Sequence, residues 1–345
     1  MKTYACANCG NRLYAENSVC VQCGVALGYS RADDAIYPVD ERGVYVDGQG
    51  FLWHVCRNLG LSGCTWLSTV EGGQCSACDL TRTRPADDDE TGLAQLPDAE
   101  RAKRALVVEL DRLGFEVVSR LEDPERGLCF DMLSSVDENV VIGHADGVIT
   151  IDLAEADDAH REKVRDQLDE PYRSMLGHLR HESGHYFQWR LVDAEPLLSE
   201  CRSLFGDETV SYQDAIDRHY EQGAPDHWQE SFISTYATMH PFEDFAETWA
   251  HYLHISDTVD SAVETGLISV DTSSIDKFSE VVVDVWTPLS LSLNLINRSM
   301  GQGDLYPFVI PDPVLDKLDF VARLRPSPEI LIDDEPDRLP APIID

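Results

Sequence analysis

The residues best equipped for chemistry lie in two groups, and the sharper one is mid-chain. His181-Glu182-Ser183-Gly184-His185 spells H-E-x-x-H. Histidines four apart on a helix sit one turn above each other on the same face, so both imidazoles can reach one ion. Glu182, the next residue round, can lean over a metal-bound water as general base. Gly184 lowers helix propensity by ~1 kcal/mol relative to Ala, which calls for a reason such as close packing near the metal. Zinc hydrolases of this kind need a third protein ligand and leave the fourth position to water. The stretch from Ser234 to His254 carries Tyr236, His240, Glu243, Asp244, Glu247, His251 and His254. Glu243, Glu247 and His251 recur at i, i+4, i+8, so one can bind zinc while the next hydrogen-bonds a ligand histidine. Such a stripe in an otherwise apolar helix (Phe242, Phe245, Ala246, Trp249, Ala250, Leu253) is hard to bury without a metal.

The second group is the cysteines, eight of ten falling in the first 78 residues. Cys6/Cys9, Cys20/Cys23 and Cys75/Cys78 are Cys-x-x-Cys turns, and Cys56 and Cys64 form a looser fourth pair. Each turn places two thiolates on one side of a soft tetrahedral ion. This assigns one zinc to Cys6, Cys9, Cys20 and Cys23, and a second to Cys56, Cys64, Cys75 and Cys78, with His54 as the alternative ligand there. Four thiolates leave no open position, so both ions are structural. A disulfide framework would need an oxidising compartment, and no export signal is visible. Cys129 and Cys201 sit among apolar neighbours and read as core residues.

These groups must be carried by distinct elements. Residues 1–84 form a zinc-ribbon domain, and residues 85–97, rich in Pro, Asp and Gly, read as an acidic linker. Asp98 is placed to cap a helix ending at Gly114. Strand-like runs follow at 115–121, 127–133, 139–145 and 147–153, the last with Ile149, Ile151 and Leu153 on one face. Asp146-Gly147 joins the final two as a hairpin turn. From about Ala154 the chain reads as helical, and Pro241 suits the first turn of the helix bearing Glu243. Strands precede helices, so the class of the domain over 98–325 is α+β. Residues 326–345 alternate proline and acid and read as a disordered tail.

Composition sets the boundary conditions. With 27 basic and 63 acidic side chains the formal charge is −36, which argues against nucleic acid or an anionic membrane as partner. The ribbon segment carries no basic stripe, so a protein-docking or architectural role is expected for it. No run of ~18 apolar residues occurs and the N-terminus lacks a signal-peptide core, so a cytoplasmic location is expected.

Tyr236 to Glu247, taken with His181 to His185, resembles the gluzincin arrangement of anthrax lethal factor. There a tyrosine precedes the ligand glutamate by seven residues within a Glu-x-Phe-Ala-Glu stretch, as Tyr236 and Glu243 do here. Over roughly residues 1 to 320 the chain is similar to the bacterial family of zinc-binding metallopeptidases with an N-terminal zinc ribbon. Cys6-Ala-Asn-Cys9-Gly, Cys75-Ser-Ala-Cys78, Gly177 to Tyr186, His219-Tyr and Ser234 to His254 carry that similarity. The resemblance implies a zincin-like fold, a catalytic zinc held by His181, His185 and Glu243 besides the two structural ions, and Glu182 as base. It further implies Tyr236 as donor to the oxyanion, with His240 competing for that role. Glu247 would orient one imidazole, with His251 and Asp244 as lesser candidates. The implied substrate is a polypeptide, which could pair with the run 147–153 if that is an edge strand beside the cleft. Two other classes fit the same residues: a zinc-stabilised interaction scaffold with a degenerate zincin domain, and a hydrolase of non-peptide amides.

Overall fold

A computed structural model describes residues 2–135, 140–156 and 174–326 of the chain. The expected tail lies outside the described residues beyond Pro326, as does the start of the run expected at 139–145. The class is α+β: a cysteine-rich region of short strands, then a small sheet, then helices.

In the cysteine-rich region, strands Thr3–Ala5 and Arg12–Tyr14 pair antiparallel around the first knuckle. Leu27–Ser30 pairs with Ala35–Pro38, and Val44–Val46, Leu52–Val55 and Leu67–Ser68 form a three-stranded sheet.

The stretch 85–97 is helical in large part, which corrects its reading as a linker. Asp89 accepts a hydrogen bond from the Gly92 backbone (2.8 Å) and opens a long helix, Glu90–Leu113. Asp98 is therefore interior, paired with Arg101 one turn on at 2.7 Å. Pro97 forgoes one backbone bond, but Leu96, Ala99, Leu106, Val107 and Leu110 on the same helix are fully buried, and that burial outweighs a punctuation signal. Gly114 ends the helix in the left-handed region, φ 81°.

The run 115–121 is not a strand: only Ser119 bridges to Leu128, while Phe115 and Val117 go straight into the core. The sheet instead runs Gly143–Ala145, Val148–Asp152, Cys129–Leu133, Thr81–Thr83 in spatial order. The first pair is antiparallel and the other two are parallel. Asp146 and Gly147 both adopt positive φ (48° and 80°) between Ala145 and Val148, the geometry of a two-residue hairpin turn. Ile149 and Ile151 are fully buried on the inner face. Val148–Asp152 lies inside the sheet, so it cannot be an open edge; among the described residues that position belongs to Gly143–Ala145. The opposite edge among the described residues, Thr81–Thr83, begins three residues after the last knuckle cysteine, so the ribbon's chain completes the sheet of the following segment.

Against this sheet and the long helix packs the motif helix, Met175–Leu191, crossed by the partner helix, Pro241–Glu264. Phe115, Phe187, Phe245 and Trp249 form the aromatic core at the crossing, with the Phe187 and Trp249 rings stacked at 4.9 Å. The helices Leu197–Phe205, Tyr212–Gln222, Thr287–Ser299 and Asp312–Arg323 surround the pair. Among the described residues no helix is long and apolar enough to cross a membrane.

Candidate metal centre

Two helices aim the central residues. Ser174 caps the motif helix through the Gly177 backbone (3.0 Å), and Arg180 bolts it to the long helix by a two-pronged bond to Glu109 (3.0 and 3.1 Å). The partner helix starts at Pro241, with His240 Nδ1 accepting from the Phe242 backbone at 3.1 Å. Gly184 faces that helix. A Cβ there would lie 2.9 Å from Ala246 Cα and 3.1 Å from Trp249 Cβ, so the missing side chain is what lets the two backbones approach.

At this crossing His181 Nε2 lies 3.0 Å and His185 Nε2 3.5 Å from the same Glu243 oxygen, Oε2. Tetrahedral zinc with ligand bonds near 2.05 Å spaces its ligand atoms roughly 3.3 Å apart, so the donor set and spacing fit that ion. The electrostatics agree. Burial opposes charge on Glu243, yet the two histidines hold its carboxyl well below the ordinary range. Burial likewise disfavours a charged His181, but Glu243 and Glu247 raise it well above its usual value. A buried imidazole between two carboxylates is a place that demands positive charge.

Glu247 accepts at Oε1 from His181 Nδ1 (2.8 Å), and Ser234 Oγ donates to its other oxygen (2.7 Å). With Nδ1 committed to Glu247, Nε2 is the His181 nitrogen that faces Glu243 and could ligate an ion. Glu182 is 8 % exposed, and its Oε2 has no hydrogen-bond partner among the described residues. Burial raises its carboxyl above the ordinary value. Tyr236 opens a short turn, Tyr236–Thr238, with its ring 5.8 Å from that of His181. Burial and the nearby Glu243 carboxylate raise its phenol, which keeps it protonated and able to donate.

Other candidates point elsewhere. His240 uses Nδ1 for the helix cap and Nε2 on the Val210 carbonyl (3.2 Å), so neither nitrogen serves as an oxyanion donor. His251 Nδ1 bonds the Tyr306 hydroxyl at 2.7 Å, and His254 packs its ring beside Trp286 and Tyr306. Asp244 Oδ2 pairs with Lys317 at 2.6 Å. Of the three carboxylate and imidazole groups weighed for orienting a ligand, only Glu247 touches one.

One residue that sequence reading did not single out joins the centre. Tyr212, first in the helix Tyr212–Gln222, donates its hydroxyl to Glu243 Oε1 at 2.8 Å. It lies 31 residues before its acceptor, with no local spacing to betray it.

The cysteines gather as two tetrads, Cys6/Cys9/Cys20/Cys23 and Cys56/Cys64/Cys75/Cys78, with ligand atoms within 4.8 Å of one another. Sγ separations of 3.8 Å (Cys6–Cys23), 3.6 Å (Cys9–Cys20) and 3.6 Å (Cys64–Cys75) match the roughly 3.8 Å expected for thiolates 2.3 Å from a tetrahedral zinc. His54 is not in the second tetrad. Cys129 and Cys201 are buried in the core. A zinc with four thiolates carries net negative charge, and Lys103 and Arg104 of the long helix, both buried, lie near Cys78 and Cys64 respectively.

A family model described as "Putative zinc-binding metallo-peptidase" matches residues 93–324, and one for a zinc-ribbon domain matches residues 3–89. Uncharacterized proteins of Mycobacterium tuberculosis and Mycobacterium bovis are 48% identical to this chain over 331 residues, spanning 93% of this chain and 94% of each relative. No solved structure matches the chain.

Proposed function

Since the chain belongs to the family of zinc-binding metallopeptidases with an N-terminal zinc ribbon, we propose that it hydrolyses peptide bonds with Glu182 as general base. The observation that carries this reading is the convergence of His181 Nε2, His185 Nε2 and Glu243 Oε2 beside a buried glutamate with an unpartnered oxygen. His181, His185 and Glu243 would hold the catalytic zinc, and the two cysteine tetrads one structural zinc each. Bound there, zinc would supply Lewis acidity, polarising a carbonyl and making water acidic enough to attack near neutral pH.

The chain's own groups do the rest. Glu182, with Oε2 free and its basicity raised by burial, takes the proton from the attacking water and passes it to the leaving amine. Tyr236, protonated and beside His181, donates to the carbonyl oxygen as negative charge develops on it, a contact strengthened in the transition state. Glu247 fixes the tautomer and tilt of His181. A polypeptide would lie along the open edge strand Gly143–Ala145, which packs by the motif helix.

Zinc content and a peptide-library assay on wild type and Glu182→Gln test this together. Three zinc ions per chain are expected in both proteins, with turnover lower by ~100-fold to 10,000-fold in the variant. Equal turnover by the two would remove Glu182 from the chemistry, and two zinc ions per wild-type chain would remove the catalytic metal.

A further inference from the structure

Glu243 offers two oxygens, and the structure gives them different tasks. Oε2 faces both imidazole nitrogens, at 3.0 and 3.5 Å, while Oε1 accepts the Tyr212 hydroxyl at 2.8 Å. A carboxylate free to rotate can bind an ion through one oxygen or through both. Two-oxygen binding would occupy the position an open catalytic site must keep. We infer that Tyr212 is a positioning residue that restricts Glu243 to one-oxygen ligation, so this inference rests on the metal site proposed above.

The surroundings show that Tyr212 is placed for this task. It is the first residue of its helix, and Ser211 caps that helix by accepting from the Asp214 backbone at 3.3 Å. The helix and the two residues before it are tied to the entrance of the partner helix at three points. Tyr212 holds Glu243, the Val210 carbonyl faces His240 Nε2 at 3.2 Å, and Arg218 donates to the Met239 carbonyl at 3.3 Å. The Tyr212 ring also meets the His240 ring edge-on, centroids 5.1 Å apart. His219, two turns along the same helix, lies edge-on to Tyr236 with ring centroids 6.3 Å apart. One helix thus braces both the ligand glutamate and the candidate oxyanion donor. Tyr212 is about two-fifths exposed as a residue, yet its hydroxyl is partly shielded from water beside the Tyr236 phenol and donates to Glu243.

Tyr212→Phe in the full chain keeps the ring against His240 and deletes only the hydroxyl. Zinc at the His181/His185/Glu243 site should bind ~10-fold to 100-fold more weakly, as measured by competition with a chelator too weak to strip the cysteine tetrads, whose two ions stay in place. Refilling the stripped site with cobalt(II) should give visible absorption bands that differ between variant and wild type, because the number of bound carboxylate oxygens changes. Peptide turnover should fall through kcat with KM little altered. Glu182→Gln serves as the contrast, losing kcat while keeping wild-type zinc affinity. Equal affinity and identical cobalt bands in Tyr212→Phe and wild type would overturn the inference. A wild-type chain that binds only two zinc ions would instead overturn the metal site beneath it. Should Tyr212→Phe misfold, Ser211→Ala loosens the same helix start without touching Glu243. A weakened third zinc in that variant supports the brace, and wild-type affinity contradicts it.

Discussion

Substituting Gly184 by alanine should harm activity far more than stability. The added Cβ would meet Ala246 Cα at 2.9 Å and two Trp249 carbons at 3.1 Å, whereas carbon atoms pack comfortably at about 3.5–4.0 Å. One contact is backbone and the other the root of a fully buried indole, so neither can swing aside and the two helices must part by roughly 0.6–1 Å. Overpacking of this kind costs about 1–3 kcal/mol. Replacing glycine inside a helix returns about 1 kcal/mol, which leaves a net loss of roughly 0–2 kcal/mol. For a domain of this size that lowers Tm by at most about 8 °C. The same movement separates His181 and His185 on one helix from Glu243 on the other, opening a gap that is now 3.0 Å. A misplacement near 1 Å can cost about 100-fold in rate. Thermal unfolding, zinc competition and peptide turnover on one preparation would separate the effects. Wild-type turnover and zinc affinity with an unchanged or higher Tm would refute the reasoning, because the helix crossing would then have slack that the geometry denies.

Glu247→Ala removes the acceptor that orients His181 and should weaken zinc at that site by ~10-fold to 100-fold; chelator competition reads this directly, and undiminished affinity would exclude the orienting role. Lys317→Met leaves the Asp244 carboxylate buried without its 2.6 Å partner and should destabilise by about 3–5 kcal/mol in urea unfolding. Adding Asp244→Asn should recover most of that loss, and additive losses would count against the pairing. Asp34, on the ribbon side, is pushed up by burial, but hydrogen bonds from Tyr4 and Arg112 outweigh this and hold its carboxyl below the ordinary value. Its folded pKa is thus lower than its unfolded one near 3.9, so the stability it contributes is present above that value and lost as pH falls through the folded one. Asp34→Asn should accordingly be less stable than wild type at neutral pH and converge with it in strong acid; a constant difference down the acid limb would show that Asp34 does not titrate this way.

Features written in short-range spacing were legible. The meeting of His181 with His185 follows from one helical turn, the hairpin from Asp146-Gly147, the helix start from Pro241, and the thiolate tetrads from Cys-x-x-Cys turns. What escaped depends on tertiary context. Pro97 and the aspartates before it carry the signals of a linker, and only the burial of Leu96 and Ala99 shows that a helix prevails. Phe115 and Val117 alternate like a strand but are consumed by the core. Tyr212 meets Glu243 only because two separate helices are brought together, and the commitments of His240, His251 and Asp244 depend on Val210, Tyr306 and Lys317, each distant in sequence.

The strand Thr81–Thr83 bears on how this protein can be divided. A cut made in the acidic stretch separating the two matched segments would look harmless on paper, yet it would strip an edge strand from the four-stranded sheet. The Phe130 amide would lose its 2.7 Å bond to the Leu80 carbonyl, and Asp131 would lose its bond from Arg82 (2.9 Å to Nε). The buried Lys103 would lose its Thr81 contact as well. Removing the ribbon would therefore expose the flank of the sheet against which the motif helix packs.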